Sequence, residues 1–195
     1  MTAAARTVSD LNDAAPADSV ISTKRLLIRP STLDDAADMA RLANNLKIAA
    51  NMRNTFPSPY LLEHAVGWLK MCAKDPGNNF AICKLDDGTY VGNIGVIRGN
   101  DVQHRTWELG YWFGEEYWGQ GYASEALDAF CKFCFASDPS LLRLEATMFS
   151  VNVPSRRVLE KSGWTYEGAK RQAVEKKGQV FDLLVFSLLR SECLT

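Results

Sequence analysis

The chain has 195 residues, 47% hydrophobic and 23% charged, with 22 Lys+Arg against 23 Asp+Glu for a formal net charge of −1. That length makes one domain able to bury roughly 70% of the surface of its unfolded chain, and the charge balance excludes the basic footprint of a general nucleic-acid binder. No apolar run approaches the ~20 residues that span a bilayer, and five scattered cysteines are not a disulfide framework, so the expectation is a soluble cytoplasmic protein with no membrane or direct nucleic-acid partner.

Residues 1–20 are rich in Ala, Asp, Ser and Thr and lack apolar periodicity. Such a segment predicts a disordered tail ahead of a single domain over 21–195, with order beginning near Thr23. Lys24 to Arg29 reads as a short strand closed by Pro30. Thr32 is then placed to cap a helix that carries Asp34 and Asp35 in its first turn and Leu33, Ala36, Ala40 and Ala43 at helical spacing. Asn44 to Pro59 reads as loop or short helix. Leu61, Ala65, Trp68, Leu69 and Cys72 form the apolar stripe of a second helix, stopped by Asp75-Pro76-Gly77.

Phe80–Leu85 and Tyr90–Arg98 read as a hairpin, and Thr106–Phe113 as a strongly aromatic strand. A helix then presents Ala123, Leu127, Phe130 and Cys134 on one face. Leu142–Phe149 is a strand, and Pro154–Lys161 a helix with proline near its start and Gly163 past its end. Trp164–Ala173 and Val180–Leu188 close the chain as two strands around Lys176-Lys177-Gly178-Gln179, where the lysines read as plain turn polarity. The order β-α-α-β-β-β-α-β-α-β-β predicts a mixed α/β domain without internal repeats.

The segment Gly119-Gln120-Gly121-Tyr122-Ala123-Ser124 joins the aromatic strand to a helix. Small residues at alternate positions allow a tight turn that aims several N–H groups at one point. That point lies at a helix N-terminus, which favours an anion. Two readings of the turn stand: a phosphate or pyrophosphate cradle, or glycine used only for turn geometry. A Walker loop would need Lys-Ser/Thr after the second glycine, where Tyr122-Ala123 stand. A nicotinamide-dinucleotide fingerprint would need Gly or Ala at Ser124 and a place at the first strand of a βαβ unit.

Glu108-Leu109-Gly110-Tyr111-Trp112-Phe113, followed by Glu116 to Leu127, resembles the acetyl-CoA-binding motif of GCN5-related N-acetyltransferases (GNAT), and within them the RimJ/RimL-like branch of ribosomal-protein N-terminal acetyltransferases. Further likeness lies at Thr23 to Pro30 with Asp34-Asp35, and at Asn152 to Trp164. The resemblance runs from about residue 22 to 190. It implies the GNAT acyl-CoA N-acyltransferase fold, an α/β fold with a central mixed, mostly antiparallel sheet flanked by helices.

The resemblance also implies a direct transfer from acetyl-CoA to a primary amine, with no metal. Main-chain N–H groups of Gly119, Gln120, Gly121, Tyr122, Ala123 and Ser124 would hold the coenzyme pyrophosphate. Trp118 stands where the family often has Gln or Arg, a minor departure because the backbone makes the contacts. Main-chain groups near Tyr111, Trp112 and Phe113 would pair with the pantetheine arm, and the thioester would sit where this strand splays from Leu142–Phe149. Asn152 and Ser155 resemble the element that meets the thiol end, with Ser155 placed to donate a proton to the departing thiolate. Many relatives use a tyrosine at the place of Leu159. Serine near a helix start also has an ordinary capping role.

An amine attacks only when deprotonated, so a carboxylate is expected to receive its proton, often through water. Glu145 matches the catalytic glutamate of related N-terminal acetyltransferases. Glu108 could face the amine entrance, and Glu175 lies one residue out of register with a glutamate proposed as base in this branch. Each could equally be a solvated strand-edge carboxylate. The acceptor pocket is expected from Asn51, Arg53, Phe56 and Tyr60 together with the closing hairpin, and Trp107 either lines the cleft or packs in the core.

The acceptor implied is a protein or peptide N-terminal α-amine. The alternatives are a small amine (polyamine, amino sugar, amino acid or xenobiotic) or a weakly catalytic CoA-binding protein; a monomer or homodimer is expected. Cys131 and Cys134 have the spacing of a metal or redox pair, but no second pair accompanies them, and helical packing explains them. Arg156, Arg157 and Lys161 are candidates for the nucleotide 3′-phosphate.

Overall fold

A computed structural model describes residues 20–193. The expected tail over 1–20 therefore lies outside the described residues except for Val20. Ordered structure begins slightly earlier than Thr23: β1 (Ile21–Ser22) pairs antiparallel with β2 (Leu26–Pro30). The chain continues through α1 (Ala36–Ala43), α2 (Leu46–Ala49), α3 (Leu62–Cys72), β3 (Asn79–Lys84), β4 (Tyr90–Arg98), β5 (Thr106–Phe113), α4 (Tyr122–Ser137) and β6 (Arg143–Phe149). It ends with α5 (Val153–Lys161), β7 (Thr165–Lys176), β8 (Gln179–Leu189) and the short α6 (Arg190–Cys193).

The strands form one eight-stranded sheet in the order β1-β2-β3-β4-β5-β6-β8-β7. Every neighbouring pair is antiparallel except β5 and β6, which run parallel. A parallel pair requires a crossover, and α4 supplies it. The α/β class and mostly antiparallel sheet inferred from the sequence are therefore present.

Alternation along the strands divides the molecule into two apolar layers. Leu26, Ile28, Phe80, Ile82, Leu109, Leu144 and Phe186 face Leu127 and Phe130 of α4 and Leu159 of α5. The intervening residues Ala81 and Cys83 face Met39 and Leu42 of α1 and Leu69 of α3. Leu159, fully buried in the first layer, is a packing residue. So are Cys131 and Cys134, whose burial pushes both thiols up and keeps them protonated.

Thr32 holds the N-cap position as expected, with Asp34 and Asp35 in the first turn. That turn, Leu33–Asp35, is a 3-10 turn ahead of α1, and the Asp35 carboxylate accepts the Thr32 N–H at 2.7 Å. The same carboxylate is only 4% exposed and meets the Arg29 guanidinium through two hydrogen bonds of 2.6 and 2.9 Å. A guanidinium within reach makes burying that carboxylate tolerable.

Candidate active site

The loop from β5 to α4 is held at both ends. On one side, Glu115 binds Lys47 and the Asn45 amide at 2.7 Å, and Glu116 binds Arg41 at 3.0 Å. On the other, Arg25 donates to the Gln120 carbonyl at 2.9 Å and to Glu125 at 2.7 Å, with its guanidinium 4.5 Å from the centre of the Tyr122 ring. Thr23 adds a third tie to Glu125 at 2.6 Å. Burial raises the Glu125 carboxyl, but the hydrogen bonds from Thr23 and Arg25 outweigh it and leave the group below its ordinary value.

Between these anchors, Gly119 and Gly121 adopt φ of +73° and +80°, a region that disfavours residues with a Cβ. The left-handed turn rotates successive amides to one side. Among the described residues, no acceptor partners the main-chain N–H groups of Gly119, Gln120, Gly121, Tyr122, Ala123 or Ser124. All six predicted cradle residues therefore retain free amides, at the N-terminus of a sixteen-residue helix. The Gln120 side chain folds back onto the Glu116 carbonyl at 2.8 Å, so its contribution is from the backbone.

Strand β5 leaves its parallel partner early. Pairing with β6 covers only Thr106–Glu108 against Arg143–Glu145, after which the strands diverge. The bonds from Gly114 N–H to Val91 and from Gly99 N–H to Thr106 fix the phase of the β4–β5 ladder. In that phase Gly110 and Trp112 direct their main-chain groups to β4, while Leu109, Tyr111 and Phe113 direct theirs into the gap. The Trp112 main chain therefore does not line the gap as expected, and its side chain packs against the α1–α3 layer. Tyr111 and Phe113 do line it, and the Phe113 carbonyl is taken by the Trp118 indole at 2.8 Å.

The two sides of the gap carry different chemistry because adjacent residues on a strand point to opposite faces. On the α4–α5 side, the Tyr111 hydroxyl lies 3.0 Å from Ser155 Oγ. Ser155 is seated by its N–H, which donates to the Asn152 side chain at 3.3 Å at the start of α5. On the opposite side stand Glu108, Thr147 and Glu145. Thr147 donates to Glu108 at 2.9 Å, and Arg53 pairs with the same carboxylate. Arg143 binds Glu145 at 2.8 Å and reaches Glu167, whose carboxyl it lowers, with help from Ser187, to about 2.

Other expected site residues fall elsewhere. Trp107 is 3% exposed, inside the α4–α5 core with Arg98 stacked on it at 4.4 Å, because it shares the face of Leu109. Tyr60 is buried in the α1–α3 layer with its hydroxyl 3.7 Å from Met39 Sδ, and burial pushes that phenol up to about 12. Phe56 packs against Tyr60 with ring centres 4.8 Å apart and planes tilted by 40°, partly buried against the same layer. Glu175 lies exposed on the edge strand near the hairpin tip, where its main-chain carbonyl accepts from Asn54 at 3.4 Å, next to the loop that carries Arg53. Arg156 is engaged with Glu160 at 2.8 Å.

Two connections escaped the sequence reading. Lys176 is not turn polarity: it is 8% exposed and donates to the Met52 carbonyl at 2.6 Å, fastening the Arg53 loop to the hairpin. Burial, and then Lys177, lower its ammonium below the ordinary value. Arg25 reaches the glycine turn from the N-terminal strand; the Thr23–Pro30 likeness marked the segment, but no local pattern disclosed its target. Among the described residues, no group of three or more His, Cys, Asp or Glu could hold a metal ion, and no helix is long and apolar enough to cross a membrane.

A preformed amide cradle beside a strand that opens from a parallel neighbour is the framework of a transferase using a diphosphate-bearing acyl carrier. The acetyltransferase (GNAT) domain model matches residues 25–165, and the chain belongs to that family of N-acetyltransferases. It is 29% identical to the uncharacterized N-acetyltransferase p20 of Bacillus licheniformis over 175 residues, covering 87% of this chain and 96% of that one. It is 35% identical to the ribosomal-protein-serine acetyltransferase of Escherichia coli over 112 residues, 56% of this chain and 55% of that one.

Among solved structures, a GNAT-family acetyltransferase from Bacillus anthracis superposes with a TM-score of 0.78 at 25% identity, covering 89% of this chain and all of that one. Mycobacterium smegmatis RimJ in complex with CoA-disulfide gives 0.76 at 26% identity, covering 91% and 90%.

Proposed function

We propose that the protein transfers an acetyl group from acetyl-CoA directly to a protein or peptide N-terminal α-amine. The observation that carries this reading is the division of the β5–β6 gap: donor-side groups lie on one face and acceptor-side carboxylates on the other. Among the described residues, six amides at the start of α4 have no acceptor and suit a pyrophosphate, and the unpaired β5 edge at Leu109 and Tyr111 suits an amide-bearing arm leading into the gap. Acetyl-CoA supplies the activated acyl group; everything else is the work of this chain.

Glu108 receives the amine proton, directly or through water. Its Arg53 partner is 61% exposed on a loop and can be displaced by an arriving ammonium, whereas Arg143 ties Glu145 into a fixed network with Glu167. On the opposite face Ser155, seated by Asn152, donates to the departing sulfur. A free main-chain N–H on the β5 edge stabilises the oxyanion between them. An α-amine, with a reference pKa near ~8 against ~10.4 for lysine, loses its proton to such a carboxylate more readily. Similarity to a protein named ribosomal-protein-serine acetyltransferase supports a protein acceptor.

A small cationic amine is the second reading, favoured by the cluster of Glu108, Glu145 and Glu167 on the acceptor face. Purified protein incubated with acetyl-CoA and a panel of peptides and small amines separates them. Thiol release with α-acetylated peptide supports the first reading, and release only with small amines replaces it by the second. Binding of CoA with no turnover on any amine leaves a CoA-binding protein.

A further inference from the structure

Tyr111 has a role beyond the edge of β5. Its ring is largely enclosed in the α4–α5 layer, yet its hydroxyl emerges at the gap, 3.0 Å from Ser155 Oγ. Among the described residues that phenol is the sole partner of the serine oxygen. A serine hydroxyl has one hydrogen to give and two lone pairs to receive with. If Ser155 gave its hydrogen to Tyr111, it would have none for a departing sulfur. If Tyr111 is the donor, the serine hydrogen stays free to point into the gap. The phenol is much the stronger acid of the two, which favours the second arrangement.

We propose that Tyr111 is a positioning residue that donates its hydroxyl hydrogen to Ser155 Oγ and so directs the Ser155 hydrogen at the leaving sulfur. The inference rests on the acyl-transfer reading of the site. The amine nitrogen forms its bond to the acyl carbon, and the carbon–sulfur bond breaks with its electron pair on sulfur. The amine proton leaves on the Glu108 face, and Ser155 stabilises the thiolate by hydrogen bonding until water protonates it. Tyr111 keeps its own proton throughout: burial pushes its phenol up to about 12, against ~8.5 for an ordinary thiol. Asn152 completes the arrangement by fixing where the serine sits.

The test needs no knowledge of the acceptor. The thiol of CoA bound to the full-length protein is titrated by its thiolate absorbance for the parent, Tyr111→Phe, Ser155→Ala and the double variant, each checked for folding by thermal melting. A directed serine hydrogen lowers the bound thiol pKa below that of free CoA. Ser155→Ala abolishes that lowering, Tyr111→Phe raises the value by about half to one pH unit, and the double variant matches Ser155→Ala alone. Once an acceptor is in hand, Tyr111→Phe lowers kcat about 3- to 10-fold with KM for acetyl-CoA unchanged.

Equal effects of Tyr111→Phe with and without Ser155 overturn the proposal, as does a bound thiol pKa that Tyr111→Phe leaves in place. A parent protein that does not bind CoA overturns the acyl-transfer site itself and this inference with it. Binding with unaltered affinity but no response to Tyr111→Phe removes only the role of Tyr111. Should Tyr111→Phe fail to fold, Tyr111→Leu removes the hydroxyl without bringing in another donor and is read the same way.

Discussion

Replacing Gly121 by alanine isolates the effect of backbone handedness on the amide cradle. A Cβ built at Gly121 would meet only the Arg25 Nη2 atom at 3.4 Å, an ordinary contact with the end of a flexible side chain, so sterics within the protein cost almost nothing. The φ of +80° does carry a cost, on the order of 1–2 kcal/mol for an L-residue with a Cβ. If the turn keeps its shape, the loss appears as lower stability. If it relaxes to negative φ, the amides of Gly121 and Tyr122 rotate away from the ligand and the same free energy appears as a fall in CoA affinity of about 5- to 30-fold.

Isothermal titration with CoA together with thermal melting captures both outcomes, because their sum is what the strain predicts. Gly121→Asn is the control: asparagine tolerates the left-handed region and should recover much of the loss. An alanine variant with parental affinity and parental melting temperature would refute the strain reasoning. So would an asparagine variant as impaired as alanine, which would point to close approach of the ligand to the Cα.

Three further outcomes follow from the same geometry. Lys176→Met keeps the buried stem but leaves the Met52 carbonyl without its donor; it should cost about 1–3 kcal/mol in urea unfolding and raise KM for the amine more than KM for acetyl-CoA. Asp35→Ala strands the Arg29 guanidinium beside the Thr32 cap and should cost on the order of 3 kcal/mol by denaturant titration, with Asp35→Asn intermediate. Glu167 has a folded value of about 2 against an ordinary 4.5, so its stabilisation is complete above 4.5 and disappears as pH falls through 2. Its side chain is 39% exposed, which limits the pair with Arg143 to below ~1 kcal/mol; the urea midpoint of Glu167→Gln should trail the parent at neutral pH and converge on it as the solution is acidified.

Much of the architecture was legible because the chain repeats its signals locally. The apolar alternation of Thr106–Phe113 bounds β5 at the observed residues, and Pro154 with Gly163 brackets α5 within a residue. The glycine turn was legible for the same reason, since a left-handed φ leaves its mark at a single position. The faces were harder. Trp107 and Trp112 are aromatic neighbours of the same strand, and no one-dimensional pattern states which phase of β5 meets the core. Pairing with β4 decides that, and it sends Trp107 inward and Trp112 to the α1–α3 layer.

The amino-acid order alone determined most of the element sequence, though not β1 or α6, together with the glycine turn between β5 and α4 and the likeness to N-acetyltransferases, because each depends on residues within a few positions of one another. Only the tertiary structure decided the partners: Arg25 clasping the glycine turn, Lys176 holding the Arg53 loop, Tyr111 meeting Ser155, and Glu108 shared by Thr147 and Arg53. These contacts join segments tens of residues apart. A side chain that long-range packing aims leaves no periodicity in the sequence to be read.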